Sequence, residues 1–513
     1  MRPLYAIIDA TLLQKGKLIL FMYKSISFIS RLILILSFTV GCAQNSPKAE
    51  IEKPNIIYIL ADDLGYGDLG SYGQANIKTP NLDRMAEEGM RFTQHYSGST
   101  VCAPARSILM TGLHSGHAPI RGNNEVLPIG QYPLQYGTQT IPKILKDAGY
   151  ATGAFGKWGL GYPGSEGMPS LQGFDTFFGY LGQRRAHYYY PEFLFLDQKG
   201  SELQRVPLEG NQVNDDPDRH PGSGPPIVAE TYSPDAIQER VITFIEDNSD
   251  QPFFIYHPSP IPHASLEVPD EYLEMYLDEN GESIFEEEPT PQSHYVNSEM
   301  PKATYAAMVS YLDARVGEIL DKLDELGIDG NTLVLFTSDN GSYSEGGYHY
   351  SMHTSNGQLR GGKRDLYEGG IRVPMIAWWP GQIESNQTSD HISGFQDMMP
   401  TFSELAGINA PVGIDGISMV PTLLGTGNQE AHEYLYWEFH EQGGKQAIRK
   451  GDWKAVRLGV RENKDAPIEL YNLSEDITEE NNIVEQHPEI VAEMDSIFEA
   501  AHIPSETFQL FEE

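Results

Sequence analysis

Two short stretches constrain this chain more than anything else in it. "NIIYILADD", from Asn55 to Asp63, and "TLVLFTSDN", from Thr332 to Asn340, are apolar runs that end abruptly in acids or amides. Runs this short and this rich in β-branched and aromatic residues read as strands covered on both faces. Such strands belong to parallel sheets, which need helical crossovers. The chain supplies them. "NLDRMAEEGMRF" reads as a helix ending near Gly89, and "TIPKILKDAGY" as one capped by Gly149 and followed by the strand "ATGAFGKW". "PFFIYHPS" and "VPMIAWWPG" are further strands, and "MVSYLDARVGEILDKLDELG" is a long amphipathic helix stopped at Gly327. The expected fold is α/β, a large, mixed, mostly parallel sheet sandwiched by helices.

The character of the chain changes after Leu424. "EYLYWEF", "QAIRKGDWKAVRL" and "PIELYNL" read as short antiparallel strands, and "HPEIVAEMDSIFEAAH" as a closing helix. We expect a main domain over 54–424 and a smaller C-terminal α+β subdomain over 425–513. The acidic "DENGESIFEEEPTPQ" (278–292) reads as a solvated loop.

Residues 1–41 read as an N-terminal extension and signal peptide. The stretch from Met22, the expected true start, carries Lys24 and Arg31 and then an apolar run from Leu32 to Val40, short for a membrane span. It ends at Gly41-Cys42 and is followed by polar residues, the form of a bacterial lipoprotein signal. Cys42 is then the lipidated residue and 42–53 a tether. This predicts export to the periplasm or cell envelope, with membrane contact only through that anchor.

Charge narrows the partners. Lys and Arg number 35 against 72 Asp and Glu, a formal net charge of −37. Polyanions such as nucleic acid or an anionic lipid surface are repelled by this balance. The excess is either a solubilising surface or includes carboxylates that converge on a cation. The acid-ended strands favour such a site, because α/β sheets gather functional groups at the carboxyl ends of their strands. Asp62 beside Asp63, and Asp339 beside Asn340, offer four hard oxygen ligands that suit Ca²⁺, with Mg²⁺ as second choice.

Outside the N-terminal segment the chain holds a single cysteine, Cys102, so the folded body has no internal disulfide. "CAPARSILMTG" reads as a helix with Pro104 in its first turn and Gly112 as its stop. Cys102 then sits at a helix N-terminus, where backbone N–H groups favour an anion, and Arg106 lies one turn on.

Cys-x-Pro-x-Arg followed by "SILMTG" resembles the signature of the formylglycine-dependent sulfatases of the alkaline phosphatase superfamily. "PNIIYILADDLGYGDLGSYG", "GKWGLG", "PFFIYHPSPIPHASLEVP", "FTSDNG", "GQLRGGKRDLYEGGIRVPMIAWWPG", "IRKGDWKAV" and "ELYNLSED" resemble further family motifs in the same order, from about Pro54 to Asn482. The likeness is to bacterial arylsulfatase A-like enzymes acting on polysaccharides. It implies that a formylglycine-generating maturation enzyme oxidises Cys102 to an aldehyde, whose hydrate attacks sulfur. It implies Ca²⁺ on Asp62, Asp63, Asp339, Asn340 and residue 102, with Arg106 stabilising the hydrate. Lys157, His263 and Lys363 would surround the sulfate, with His263 or Lys363 as general acid. The implied substrate is a sulfated carbohydrate, such as a galactose or N-acetylgalactosamine unit.

The chain departs from the pattern at Gly159, where many members carry a histidine that contacts the hydrate, and at Ala105, where serine is usual. His117 and Arg121, just after the signature, are candidates to compensate. Arg184 and Arg185 in "RRAHYYYPEF", and His353 in "GGYHYSMHTSNG", are candidate substrate contacts. The alternatives are a phosphonate or phosphate ester hydrolase of the same superfamily, a catalytically impaired binding homologue, and a structural lipoprotein.

Overall fold

The computed structural model of the chain describes residues 53–288 and 293–512. The export segment and Cys42 lie outside the described residues. Ten strands build the main sheet: β1 (Asn55–Ala61), β2 (Met90–Tyr96), β3 (Ala151–Lys157), β4 (Thr176–Tyr180), β5 (Phe193–Gln198), β6 (Gln204–Pro207), β7 (Phe253–Pro258), β8 (Thr332–Ser338), β9 (Arg372–Trp378) and β10 (Gln387–Ser389). A short strand, Ser393–Gly394, adds to β2. The spatial order is β10-β2-β9-β8-β1-β7-β3-β4-β5-β6. The five strands from β8 to β4 run parallel, while β9 and β5 join them antiparallel. The sheet is mixed and mostly parallel, as the apolar runs predicted.

Every residue of β1, β7, β8 and β9 is buried, because helices cover both faces. Full burial of each large apolar side chain contributes about 1.5–3 kcal/mol, so these central strands anchor the fold. One covering helix, Pro301–Leu326, buries residues on most of its circumference. Its Asp313 accepts bonds from the N–H groups of Asn81 (3.2 Å) and Leu82 (2.7 Å). Those groups have no intrahelical acceptor at the start of the helix Pro80–Glu88, so the long helix caps the short one.

Register carries the strand ends to one place. Ala61 of β1 pairs with Ser338 of β8, so Asp62 and Asp339 emerge side by side. Asp339 N–H donates to Ala61 O at 3.0 Å, and Asp63 N–H to Asp339 Oδ1 at 3.1 Å. Lys157 ends β3, and β7 leads into the loop that carries His263, so all emerge on one edge.

The C-terminal part is a four-stranded antiparallel meander, β11 (Leu435–Phe439), β12 (Lys445–Lys450), β13 (Trp453–Leu458) and β14 (Ile468–Asn472), closed by the helix Pro488–Ala501. It belongs to the same compact unit as the main sheet. The division we propose at 424/425 falls between the helix Val420–Leu424 and β11. Side chains alternate as a strand requires. Leu435, Trp437 and Phe439 pack on Tyr96, Val101 and Ile371 of the body, whereas Tyr436 faces Met494 and Phe498 of the closing helix. No helix among the described residues is long and apolar enough to cross a membrane.

A buried charge cluster fastens this meander down. Glu368 is 0% exposed. It meets Lys454 at 2.8 Å and Arg372 at 3.3 Å, and accepts from Tyr96 Oη at 2.6 Å. Burial opposes its charge, but Lys454, Arg449 and Arg372 outweigh that and lower its pKa to about 2. Removing one partner of such a cluster strands the others without water, which costs about 3–5 kcal/mol. Glu368→Gln should lower the unfolding free energy by about that amount in chemical denaturation. A loss under about 1 kcal/mol would show that the cluster does not hold the meander.

Candidate active site

Cys102 is the first residue of the helix Cys102–Thr111, all of whose residues are buried. Extended backbone at Val101 starts the helix and left-handed Gly112 (φ 69°) ends it, as the sequence predicted. The thiol sits 3.4 Å from Asp62 Oδ1 and 3.5 Å from Lys157 Nζ. Burial and the Asp339 carboxylate push its pKa well up, against the pull of Lys157. An unmodified thiol here stays protonated and is a poor nucleophile.

Around it the acids and cations interleave. Lys157 Nζ donates to Asp62 Oδ2 at 2.6 Å, Arg106 Nη2 to Asp339 Oδ2 at 2.8 Å, and Lys363 Nζ to Asp63 Oδ2 at 2.7 Å. Arg106 also donates to Lys157 O, which locks the end of β3 to the signature helix. One oxygen of each carboxylate is thus committed to a protein cation. Burial nonetheless raises the pKa of Asp62 to about 7, with Asp339 and Asp63 adding to the rise and Lys157 and Arg106 opposing it.

The remaining oxygens fit a hard cation. Ligand atoms of Asp62, Asp63, Cys102 and Asp339 lie within 4.8 Å of one another. Asn340 Nδ2 donates to Asp63 Oδ1 at 2.7 Å, whereas its Oδ1 is buried with no hydrogen-bond partner among the described residues. An orphaned buried oxygen beside three carboxylates is what a divalent cation would satisfy. Asp63 adopts φ 65°, a left-handed conformation uncommon outside glycine that bends the chain into the cluster.

A cavity of about 180 Å³ opens over the cluster, and Cys102, Glu125, Arg184, His187, His263 and Lys363 are among its lining. His263 Nε2 lies 3.1 Å from Lys363 Nζ and 3.3 Å from Asp63 Oδ2. Its Nδ1 meets the carbonyl of Ala264, which can only accept, so the proton of the ring sits on Nδ1. Burial and the neighbouring Lys363 and Lys157 push the His263 pKa well down, and the ring is neutral. Its Nε2 is therefore an acceptor for Lys363. Glu345 takes Lys363 at 2.8 Å and Arg364 at 3.3 Å. Burial opposes its charge, but Lys363 and its other charged neighbours prevail and hold the carboxyl far below the usual range.

The other sequence candidates divide. Arg184 reaches the cavity, in a two-point pair with Glu125 (2.6 and 3.2 Å). Arg185 does not. It is buried over the Phe193 ring at 4.1 Å and donates to Phe193 O and Pro221 O. The reason is the 3₁₀ turn Arg184–His187, in which residues three apart share a face. His187, which sequence reasoning passed over, therefore joins Arg184 in the cavity and stacks on His263 with centroids 4.4 Å apart. His117 and Arg121 do not line the cavity and so do not compensate for Gly159 there. His117 is held by Asp415 at 2.9 Å, and Arg121 by Glu438 at 3.1 Å. His353 is also outside it, bonded to Lys302 O at 2.9 Å.

Gly159 has φ 75°, and a Cβ there would lie 3.0 Å from Gln183 Nε2. Gln183 fills the space a side chain at 159 would enter, and it lines the Cys102 cavity. In chemical terms Lys157 and Lys363, with a cation on the acid cluster, would present positive charge to an oxyanion above residue 102.

Comparison with known proteins agrees with this geometry. A family model described as Sulfatase matches residues 54–408, and one described as N-sulphoglucosamine sulphohydrolase, C-terminal, matches 361–502. The chain is 32% identical to arylsulfatase A of Bos taurus over 503 residues, spanning 90% of this chain and 88% of that protein. It is 29% identical to the N-acetylgalactosamine-6-O-sulfatase of Bacteroides thetaiotaomicron, spanning 93% and 99%. The crystal structure of Ps i-CgsB in complex with k-i-k-neocarrahexaose superposes with a TM-score of 0.68 at 29% identity, covering 87% of this chain and 93% of that one.

The cation site yields a direct test. Chelator-treated protein should gain stability when Ca²⁺ or Mg²⁺ is added, by about 2.7 kcal/mol at a hundredfold excess over Kd. Asn340→Ala should remove most of that gain in thermal melts. An equal gain in wild type and variant would place the cation elsewhere.

Proposed function

This chain belongs to the sulfatase family and is a sulfuric ester hydrolase; from that premise we propose that it removes sulfate from a sulfated carbohydrate, such as a galactose or N-acetylgalactosamine unit, after conversion of Cys102 to formylglycine by a maturation enzyme. The observation that carries the reading is the position of Cys102. It lines the cavity beside Lys363 and His263, above the acid cluster, yet as a thiol it is held protonated. The likeness to the N-acetylgalactosamine-6-O-sulfatase of Bacteroides thetaiotaomicron supports the choice of sugar.

Ca²⁺ is the proposed cation, held by Asp62, Asp63, Asp339, Asn340 and residue 102. Bound there, it supplies positive charge against the sulfuryl oxygens, and formylglycine supplies a hydrated aldehyde as nucleophile. The protein's own groups do the rest. Lys157 sits within 3.5 Å of the residue 102 side chain, close enough to offset charge on the same oxygens. Arg106 keeps Asp339 and the end of β3 in register beneath the nucleophile. Lys363 holds three protons on Nζ and directs them at Asp63, Glu345 and His263. Once substrate displaces one of these acceptors, Lys363 is the proposed proton donor to the leaving alcohol, with His263 Nε2 as the acceptor that orients it. The His187 ring stacks on His263 and holds the plane of its ring.

The apolar run at 32–40 and Cys42 support export and a lipid anchor. Protein produced with a maturation enzyme should release sulfate from a sulfated galactosamine and from an aryl sulfate faster than it cleaves an aryl phosphate. Mass spectrometry of the peptide spanning residue 102 should find the aldehyde. Cys102→Ala should lose turnover by several orders of magnitude. Full turnover with an unmodified thiol would refute the proposed nucleophile.

A further inference from the structure

A second cavity, of about 410 Å³, lies beside the one that holds Cys102. Asn123 and Asn124 form one wall, His440 and Glu441 another, and Arg461 and Gln509 close it from the C-terminal part. Two features join the cavities. Asn123 lines both, and its Oδ1 accepts from the N–H of Ala103, next to residue 102, at 3.3 Å. Glu441 acts electrostatically on Arg364, which lines the first cavity.

The wall chemistry points to a class of ligand. Besides Gly122, Thr507 and the Phe508 ring, it consists of amides, carboxylates, a guanidinium and an imidazole, a mostly polar lining with one aromatic ring. His440 is 6% exposed. Its Nε2 lies 3.0 Å from Glu438 Oε1, so the proton sits on Nε2 and Nδ1 offers a bare lone pair. That Nδ1 is buried and has no partner among the described residues. Such a nitrogen calls for a hydroxyl donor. Glu438 is itself fixed by Arg121 at 3.1 Å, His502 at 2.8 Å and Tyr436 at 2.9 Å, so the ring cannot easily turn away. Glu441 and Glu506 outnumber the cation Arg461 on the wall, which disfavours an anionic occupant.

We propose that this cavity is a saccharide subsite for an uncharged sugar, linked to the unit whose sulfate lies over Cys102. The proposal rests on the sulfated-carbohydrate reading and deepens it. The sulfated terminal unit occupies the first cavity, and the neighbouring unit passes Asn123 and meets the C-terminal part. Preferred substrates are then oligosaccharides whose second residue carries neither sulfate nor carboxylate.

The test compares a sulfated hexosamine with a tetrasaccharide that carries it at one end and a neutral sugar next to it. Asn124→Ala and Arg461→Ala should each lower kcat/KM on the tetrasaccharide roughly fivefold more than on the monosaccharide, mainly through KM. Asn124 is exposed, which keeps the comparison free of folding defects. Equal losses on both substrates, or none, would overturn the subsite. Calorimetric affinities for the same two sugars, in wild type and variants, decide the question even where no sulfate is released. That last result would sink the sulfatase reading and leave the subsite to the binding ratio.

Discussion

Three carboxylates buried at the edge of one sheet govern the structure of this protein. Parallel pairing of β1 with β8 forces Asp62 and Asp339 to emerge as neighbours, and Asp63 follows in a left-handed turn. Their mutual repulsion has to be met, and the chain meets it with Lys157 from β3, Arg106 from the signature helix and Lys363 from the loop before β9. Each cation comes from a different segment, so the electrostatic demand of the strand ends draws the rest of the site together. The same demand explains why the cations are buried rather than snorkelling. Burial opposes charge on Lys157, yet Asp62 more than compensates and its pKa rises.

What the sequence revealed follows from this. Strand ends are legible because an apolar run stops at an acid, and the signature helix because Pro104 and Gly112 mark its bounds. Asp62, Asp63, Cys102, Asp339 and Asn340 meet as expected, as do Lys157, His263 and Lys363. Residues on irregular segments were less legible. Glu345 lies in a two-residue strand and Gln183 before a 3₁₀ turn, and neither segment has a period to read. Proximity in sequence misled at His117 and Arg121. Both are spoken for by residues 298 and 317 positions away, partners that only the fold reveals. At 184–187 the choice between Arg185 and His187 turned on a three-residue repeat too short to recognise without its backbone.

The inner face and the outer turn of the C-terminal meander use different residues. Its inner face adds apolar surface against Tyr96 and Ile371, and Glu368, itself paired with Arg372 of β9, ties it down through Lys454 and Arg449. Its outer turn, with His440 and Glu441, reaches the rim beside the active cavity. If the proposed subsite holds, anchoring and recognition are separated along one sheet. Changes at the turn can alter what is recognised without disturbing the buried charges that hold the sheet in place.

The burial of the signature helix has a temporal consequence. Cys102 is 2% exposed and Ala103, Ala105 and Arg106 are 1% or less. A second macromolecule cannot grip this segment once the helix has docked, since its backbone and side chains already face protein. Any enzyme that alters the Cys102 sulfur must therefore meet the segment as an extended peptide, ahead of tertiary closure. The finished fold then acts as a seal. It preserves whatever chemical state residue 102 had when the sheet and the meander closed around it.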